Sequence, residues 1–159
     1  AETIVVALGS VTATIREVVD ELRAGGKRIG SVSIGSFRPF PLGALRESLQ
    51  GARRVVVVEK SLAVGLGGIL SDGVRKSLSG IQLKGYTVIA GLGGRSITRA
   101  SLHKLFEAAG RDELEAATFL DLNTAVVERE LVRERLQRRS GPTAESVLRQ
   151  LGTVASGIG

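Results

Sequence analysis

Arg54-Val55-Val56-Val57-Val58-Glu59-Lys60-Ser61-Leu62-Ala63-Val64-Gly65-Leu66-Gly67-Gly68 is the stretch that decides the fold. Four consecutive β-branched valines without polar alternation describe a strand covered on both faces, as in the middle of a parallel α/β sheet. This run is therefore expected to be a central strand. Glu59, Lys60 and Ser61 follow at once, and in open α/β sheets the carboxyl ends of strands are where ligands and partners are met. Glycines at 65, 67 and 68 then allow a tight turn into a helix whose apolar positions are Leu66, Leu70, Val74 and Leu78.

Upstream, Thr3 to Leu8 reads as a strand, and Gly9-Ser10 turns it into a helix with Ile15, Val18, Val19 and Leu22 on one face. Ser10, Thr12 and Thr14 are its candidate caps, and Thr14 with Glu17 has the spacing of a capping box. Gly25-Gly26 ends this helix. Arg28 to Gly35 is a second, glycine-interrupted strand, left through the stiff peptide Ser36-Phe37-Arg38-Pro39-Phe40-Pro41. Pro41 suits the first position of a helix carrying Leu42, Leu45 and Leu49.

Downstream, Tyr86 to Ala90 is a fourth strand, and Gly91 to Ile97 leads to a helix capped by Thr98 with Leu102, Leu105, Phe106 and Ala109 on one face. Ala117 to Leu120 is a short fifth strand. After Asn123 a charge-laced helix runs to Arg139, Gly141-Pro142 breaks it, and Thr143 caps a last helix with Val147, Leu148 and Leu151 before a frayed tail from Ser156. Alternating strands and helices predict a three-layer α/β/α sandwich around a mostly parallel five-stranded sheet. The expected organisation is one α/β domain over 1–121 and a helical extension over 122–159, packing on that domain or on a partner.

Composition narrows the function. The 159 residues contain no cysteine, which excludes a thiolate nucleophile, a disulfide framework and a cysteine-held zinc or iron–sulfur cluster in this chain. The single histidine, His103, leaves no histidine cluster for a metal and reads as an ordinary, partly exposed side chain. No apolar run approaches bilayer-spanning length, and the opening residues Ala1-Glu2-Thr3-Ile4-Val5-Val6 lack the basic n-region expected of a signal peptide. The absence of methionine, with a strand almost at the start, suggests a segment of a longer polypeptide. A formal charge of +6 favours an anionic partner. Four Phe, one Tyr and no Trp give few stacking platforms for nucleic acid, and the mixed charges from Glu128 to Arg139 fit a solvated or interface helix better.

The glycine turns lack the dinucleotide fingerprint, since Leu70 and Ser96 stand where its third glycine belongs, and Gly26-Lys27 lacks the rest of a P-loop. Arg95, directly after Gly93-Gly94 at a strand's exit, is placed either to clamp a carboxylate or phosphate or to bridge to an acidic neighbour. Adjacent residues leaving a strand point to opposite sides, so at least one of Glu59 and Lys60 is expected to be structural. Arg38, held by Pro39, docks a partner or is solvated. No catalytic triad is arranged by the sequence.

Taken together, Arg38-Pro39-Phe40-Pro41, Val57-Val58-Glu59-Lys60-Ser61 and Gly91-Leu92-Gly93-Gly94-Arg95-Ser96-Ile97-Thr98, in this order and spacing, resemble the C-terminal part of the alpha subunit of 2-oxoacid:ferredoxin oxidoreductases. Pyruvate:ferredoxin oxidoreductase is the best-known member, and there this piece is core domain II. The resemblance covers residues from about 3 to about 110. The aspartate usual after Gly-Gly-Arg is Ser96 here, which weakens a cap or contact at that helix start. The resemblance implies a fold like the C-terminal domain of transketolase, with one antiparallel strand. It also implies a cytoplasmic enzyme that decarboxylates a 2-oxoacid on thiamine diphosphate, sends electrons through iron–sulfur clusters to ferredoxin and passes the acyl group to coenzyme A. Thiamine diphosphate, magnesium and clusters would then be held by other domains or subunits. This chain would be a structural and interface domain using Arg38, Glu59, Lys60, Ser61, Gly93, Gly94 and Arg95. Two other classes are open at this point: a stand-alone module binding a phosphorylated small molecule at Arg95 and the glycine turns, and a basic nucleic-acid binder.

Overall fold

The computed structural model describes residues 1–63 and 65–136. Two compact units are defined, Ala1–Leu122 and one that begins at Asn123. The first contains β1 (Thr3–Leu8), α1 (Val11–Ala24), β2 (Ile29–Ile34), α2 (Leu42–Ser48), β3 (Arg54–Glu59), α3 (Ile69–Ser77), β4 (Lys84–Ile89), α4 (Arg99–Gly110) and β5 (Ala117–Phe119). The sheet order is β2-β1-β3-β4-β5, so the valine strand is the central one. All four pairings are parallel. The antiparallel strand expected from the family resemblance does not occur among the described residues.

The four valines of β3 divide between two cores as the two-residue strand period requires. Val56 and Val58 join Val5, Ala7 and the apolar faces of α1 and α4 on one side of the sheet. Val55 and Val57 join Ile4, Val6, Leu45, Leu49, Leu70 and Val74 on the other, under α2 and α3. Removing a valine of this kind from water is worth about 1.5–3 kcal/mol, which is why a run without polar residues selects the interior position.

Some local expectations fail for identifiable reasons. Gly9, at a φ of 85°, turns the chain so sharply that α1 starts at Val11, and Thr14 lies inside the helix instead of capping it. Thr12 Oγ1 instead donates to the Gly9 carbonyl at 2.7 Å. Pro41 is the residue preceding α2, and Leu42 is 46% exposed although Leu45 and Leu49 are buried. Leu66 precedes α3 and is 52% exposed. Thr98 does cap α4, accepting from Ser101 N at 3.1 Å.

The sheet's amino-terminal edge is closed by one carboxylate. Asp112, itself at a φ of 60°, accepts Arg54 Nε at 2.7 Å and Nη2 at 2.8 Å, and the Tyr86 hydroxyl at 2.9 Å. Lys84 Nζ lies 3.4 Å away. Chiefly through Arg54, then Tyr86, this surrounding holds the Asp112 carboxyl well below the usual carboxylate range.

The second unit opens with α5 (Thr124–Leu136), whose first turn is capped by Asn123 Oδ1 accepting from Val126 N at 3.2 Å. Glu130 pairs with Arg129 and Arg133, and Val126, Val127, Leu131 and Val132 are exposed. The predicted helix end at residues 137–139, the Gly141-Pro142 break, the Thr143-capped helix and the tail lie outside the described residues.

Candidate functional site at the carboxyl edge of the sheet

Because every strand runs the same way, the loops after β1, β2, β3, β4 and β5 all emerge at one edge. Arg38 follows β2, Glu59, Lys60 and Ser61 end or follow β3, and Gly93, Gly94 and Arg95 follow β4. The predicted residues therefore share a rim without sharing a pocket: β2 and β4 are three strand spacings apart, roughly 14 Å.

Between β1 and β3 the connections diverge, to α1 over one face and α3 over the other, and a cleft of about 390 Å³ opens there. An order of β2-β1-β3-β4-β5 has its topological switch point at this place, where open α/β sheets receive ligands. Leu8, Phe37, Val58, Ile69 and Leu70 wall the cleft; Ser10, Lys60 and Ser61 bring polar groups to it. Glu59, Lys60 and Ser61 are thus brought together, whereas Gly93, Gly94 and Arg95 are not among its lining.

Glu59 is the structural member of its pair. Its carboxylate is buried and accepts Leu70 N at 2.8 Å, Ser71 N at 3.0 Å and Ser71 Oγ at 2.5 Å, with Thr87 Oγ1 donating to Ser71 Oγ at 2.9 Å. It satisfies two of the first-turn N–H groups of α3, a helix whose own preceding residue, Gly68, has no side chain to cap with. Gly68 is required there because a Cβ would fall on the Glu59 carboxylate. Lys60, one residue on, is exposed.

Arg38 lies beside the cleft through Phe37: its guanidinium carbon sits 4.5 Å from the centre of that ring and its Nη1 donates to the Phe37 carbonyl at 3.2 Å. The Arg38-Pro39 bond is cis. The segment is fastened to α3 by Phe40, whose ring edge occupies the space left by the missing side chain of Gly73. After β4, Gly91, Gly93 and Gly94 all have positive φ, and Arg95 Nη1 donates to the Asp121 carbonyl beyond β5. Arg95 thus ties two loops of the rim together.

Sequence reasoning missed the apolar character of this edge. Every large exposed hydrophobic among the described residues of the α/β unit follows the carboxyl end of a strand: Leu8 at the end of β1, Leu42 after β2, Leu62, Leu66 and Ile69 after β3, Leu92 after β4, and Phe119 and Leu122 at and after β5. Exposed apolar side chains gathered at one edge of a fold are the usual mark of an interaction site. Among the described residues no three His, Asp or Glu side chains gather as a metal site requires, and no helix is long and apolar enough to cross a membrane. With no cysteine, the chain has no thiolate to hold an iron–sulfur cluster.

Comparison with known proteins matches residues 1–102 to the family described as pyruvate:ferredoxin oxidoreductase core domain II. Pyruvate synthase subunit PorA of Thermotoga maritima is 40% identical over 111 residues, covering 69% of this chain and 28% of that protein. The subunit of the same name from Methanothermobacter thermautotrophicus is 39% identical over 105 residues, covering 66% and 27%. The NADH-dependent phenylglyoxylate dehydrogenase subunit alpha of Aromatoleum evansii is 34% identical over 136 residues, covering 83% and 30%. The chain spans less than a third of the length of these relatives. A solved split gene transketolase, an inactive β4 tetramer, aligns over 72% of this chain and 37% of its own with 27% identity and a TM-score of 0.49.

Proposed function

The chain belongs to the pyruvate:ferredoxin oxidoreductase core domain II family, and from this premise we propose that it is the interface piece of the alpha subunit of a cytoplasmic, thiamine-diphosphate-dependent 2-oxoacid:ferredoxin oxidoreductase. In the complete enzyme a pyruvate-type 2-oxoacid is oxidatively decarboxylated to its acyl-coenzyme A, with ferredoxin taking the electrons. Thiamine diphosphate, magnesium and iron–sulfur clusters belong to neighbouring domains or subunits, against which the carboxyl rim of this domain packs. Arg38, Glu59, Lys60, Ser61, Gly93, Gly94 and Arg95 serve that rim, Glu59 and the glycines by shaping it and the three cations by meeting partner groups.

The observation that carries this reading is the confinement of the unit's exposed large apolar side chains to one edge, with Arg38, Lys60 and Arg95 among them. An edge of this kind is suited to being covered by another polypeptide, and the relatives are more than three times as long as the segment matched here.

The test substitutes Leu62→Ser together with Leu66→Ser in the complete enzyme. Both side chains are exposed in this domain by itself, so its own unfolding free energy should stay within about 0.5 kcal/mol of the parent, while assembly of the oxidoreductase, read by analytical ultracentrifugation, and its turnover fall. Arg95→Ala should act in the same direction. Unchanged assembly and turnover in both variants would refute the interface role.

A further inference from the structure

The cleft at the β1/β3 switch point is more specific than the rim around it. Its walls, Leu8, Phe37, Val58, Ile69 and Leu70, are apolar. The one charged group buried in its lining, Glu59, is spent on Leu70 N, Ser71 N and the Ser71 hydroxyl of α3, so its carboxylate is already engaged and the walls an occupant meets are apolar side chains. At the exposed mouth stand the Ser10 hydroxyl, the Lys60 ammonium and the Ser61 hydroxyl, none of which has a partner among the described residues. An apolar interior below a set of unpaired donors calls for an occupant with an apolar body and an acceptor, best a carboxylate, at its outer end.

The surroundings decide what kind of body this is. Leu62 and Leu66, from the same loop as Lys60, are exposed at 46% and 52%. A small molecule confined to the cleft would leave them in water; a polypeptide segment inserting one side chain covers them with its backbone and neighbours. We propose that the cleft is a socket for an apolar–acidic anchor: a leucine or aromatic side chain of the polypeptide that covers the rim, with an Asp or Glu one or two residues from it paired to Lys60. The apolar side chain supplies the grip and the charge pair sets its register. This assignment rests on the interface reading above and names the partner chemistry of one part of that interface.

The experiment places a photoreactive benzoylphenylalanine at Phe37, inside the cleft, and in a separate preparation at Leu92, on the rim but outside the cleft's lining, in the purified assembled oxidoreductase, with adducts mapped by mass spectrometry. The expected result is one dominant adduct from position 37, on a segment of another domain or subunit that carries a large apolar residue next to an Asp or Glu. Lys60→Glu should lower its yield about fivefold or more, and Lys60→Arg should retain it. An adduct from position 92 with none from position 37 overturns the socket while leaving the interface standing. So does a position-37 adduct on a segment without a carboxylate, one indifferent to Lys60→Glu, or a small molecule found in the cleft by native mass spectrometry. Adducts from neither position overturn the interface reading and the socket with it.

Discussion

At the scale of single residues, Glu59 and Gly68 form one device. Glu59→Gln retains an acceptor oxygen but turns amide hydrogens toward the N–H groups of α3, and the expected cost is about 1–3 kcal/mol in urea unfolding. Gly68→Ala drives a methyl group into the same carboxylate. The two positions must then be non-additive: in a Glu59→Ala background, Gly68→Ala should lose most of its cost, a coupling of about 0.5–3 kcal/mol by double-mutant cycle. Additive losses would show that the carboxylate and the glycine do not share this space. Asp112 makes a prediction in pH. Its carboxyl is depressed in the folded chain, so its contribution is fully present above the ordinary value of about 3.9 and disappears as pH falls toward the depressed one. Asp112→Asn keeps a residue tolerant of the positive φ, and its deficit in urea midpoint should be present at pH 6 and shrink by pH 2.5. In the sequence Glu59 was visible as the polar end of an apolar run. Its partners were not, because an N–H group eleven residues further on becomes adjacent only when α3 folds back over β3.

At the scale of elements, periodicity was enough to identify α1 and α4, whose buried positions are the ones spaced along a single face. It misplaced Leu42, the exposed first residue of α2, and Leu66, three residues before α3, because spacing alone does not tell a leucine at or just before a helix start from one on its buried face. The Thr14 and Glu17 pair failed for a related reason: a capping box specifies a helix start only where no sharper turn has already begun the helix, and Gly9 does so five residues earlier. The contact of Phe40 with α3 left no periodic trace, yet it reverses an ordinary rule. Alanine for glycine inside a helix usually gains about 1 kcal/mol. At Gly73 the added Cβ would lie 2.6 Å from the Phe40 ring, and the substitution should instead cost about 1–3 kcal/mol. With Phe40→Ala beside it, the gain should return. Thermal unfolding of the four proteins decides the matter.

At the scale of the whole molecule, the α/β class and the central place of the valine strand were legible because a strand without polar alternation has only the interior to occupy. The spatial order was not, since nothing in a strand's own residues names its neighbours. The cleft followed the same division. Lys60 and Ser61 could be placed at a strand's carboxyl end, but Leu8, Ser10, Phe37 and Ile69 come to it from three further elements, and their exposure cannot be told from the sequence because core and interface leucines look alike there. A consequence of the ionic layout follows. With the rim's attraction shared between apolar contacts and the few cations Arg38, Lys60 and Arg95, moderate salt should slow association more than it speeds dissociation, to be read by stopped-flow mixing of separated subunits.

The exclusively parallel sheet has a consequence in time. No two strands adjacent in it can be zipped by a tight turn; each ladder must wait until a helix-containing excursion has brought its ends round. β1 has to capture β2 on one flank and β3 on the other, so the first nucleus that holds is already most of the way to the centre of the sheet. Refolding should accordingly be paced by chain closure, with helical signal gained ahead of the tertiary burial around Tyr86, and no half of the unit persisting alone.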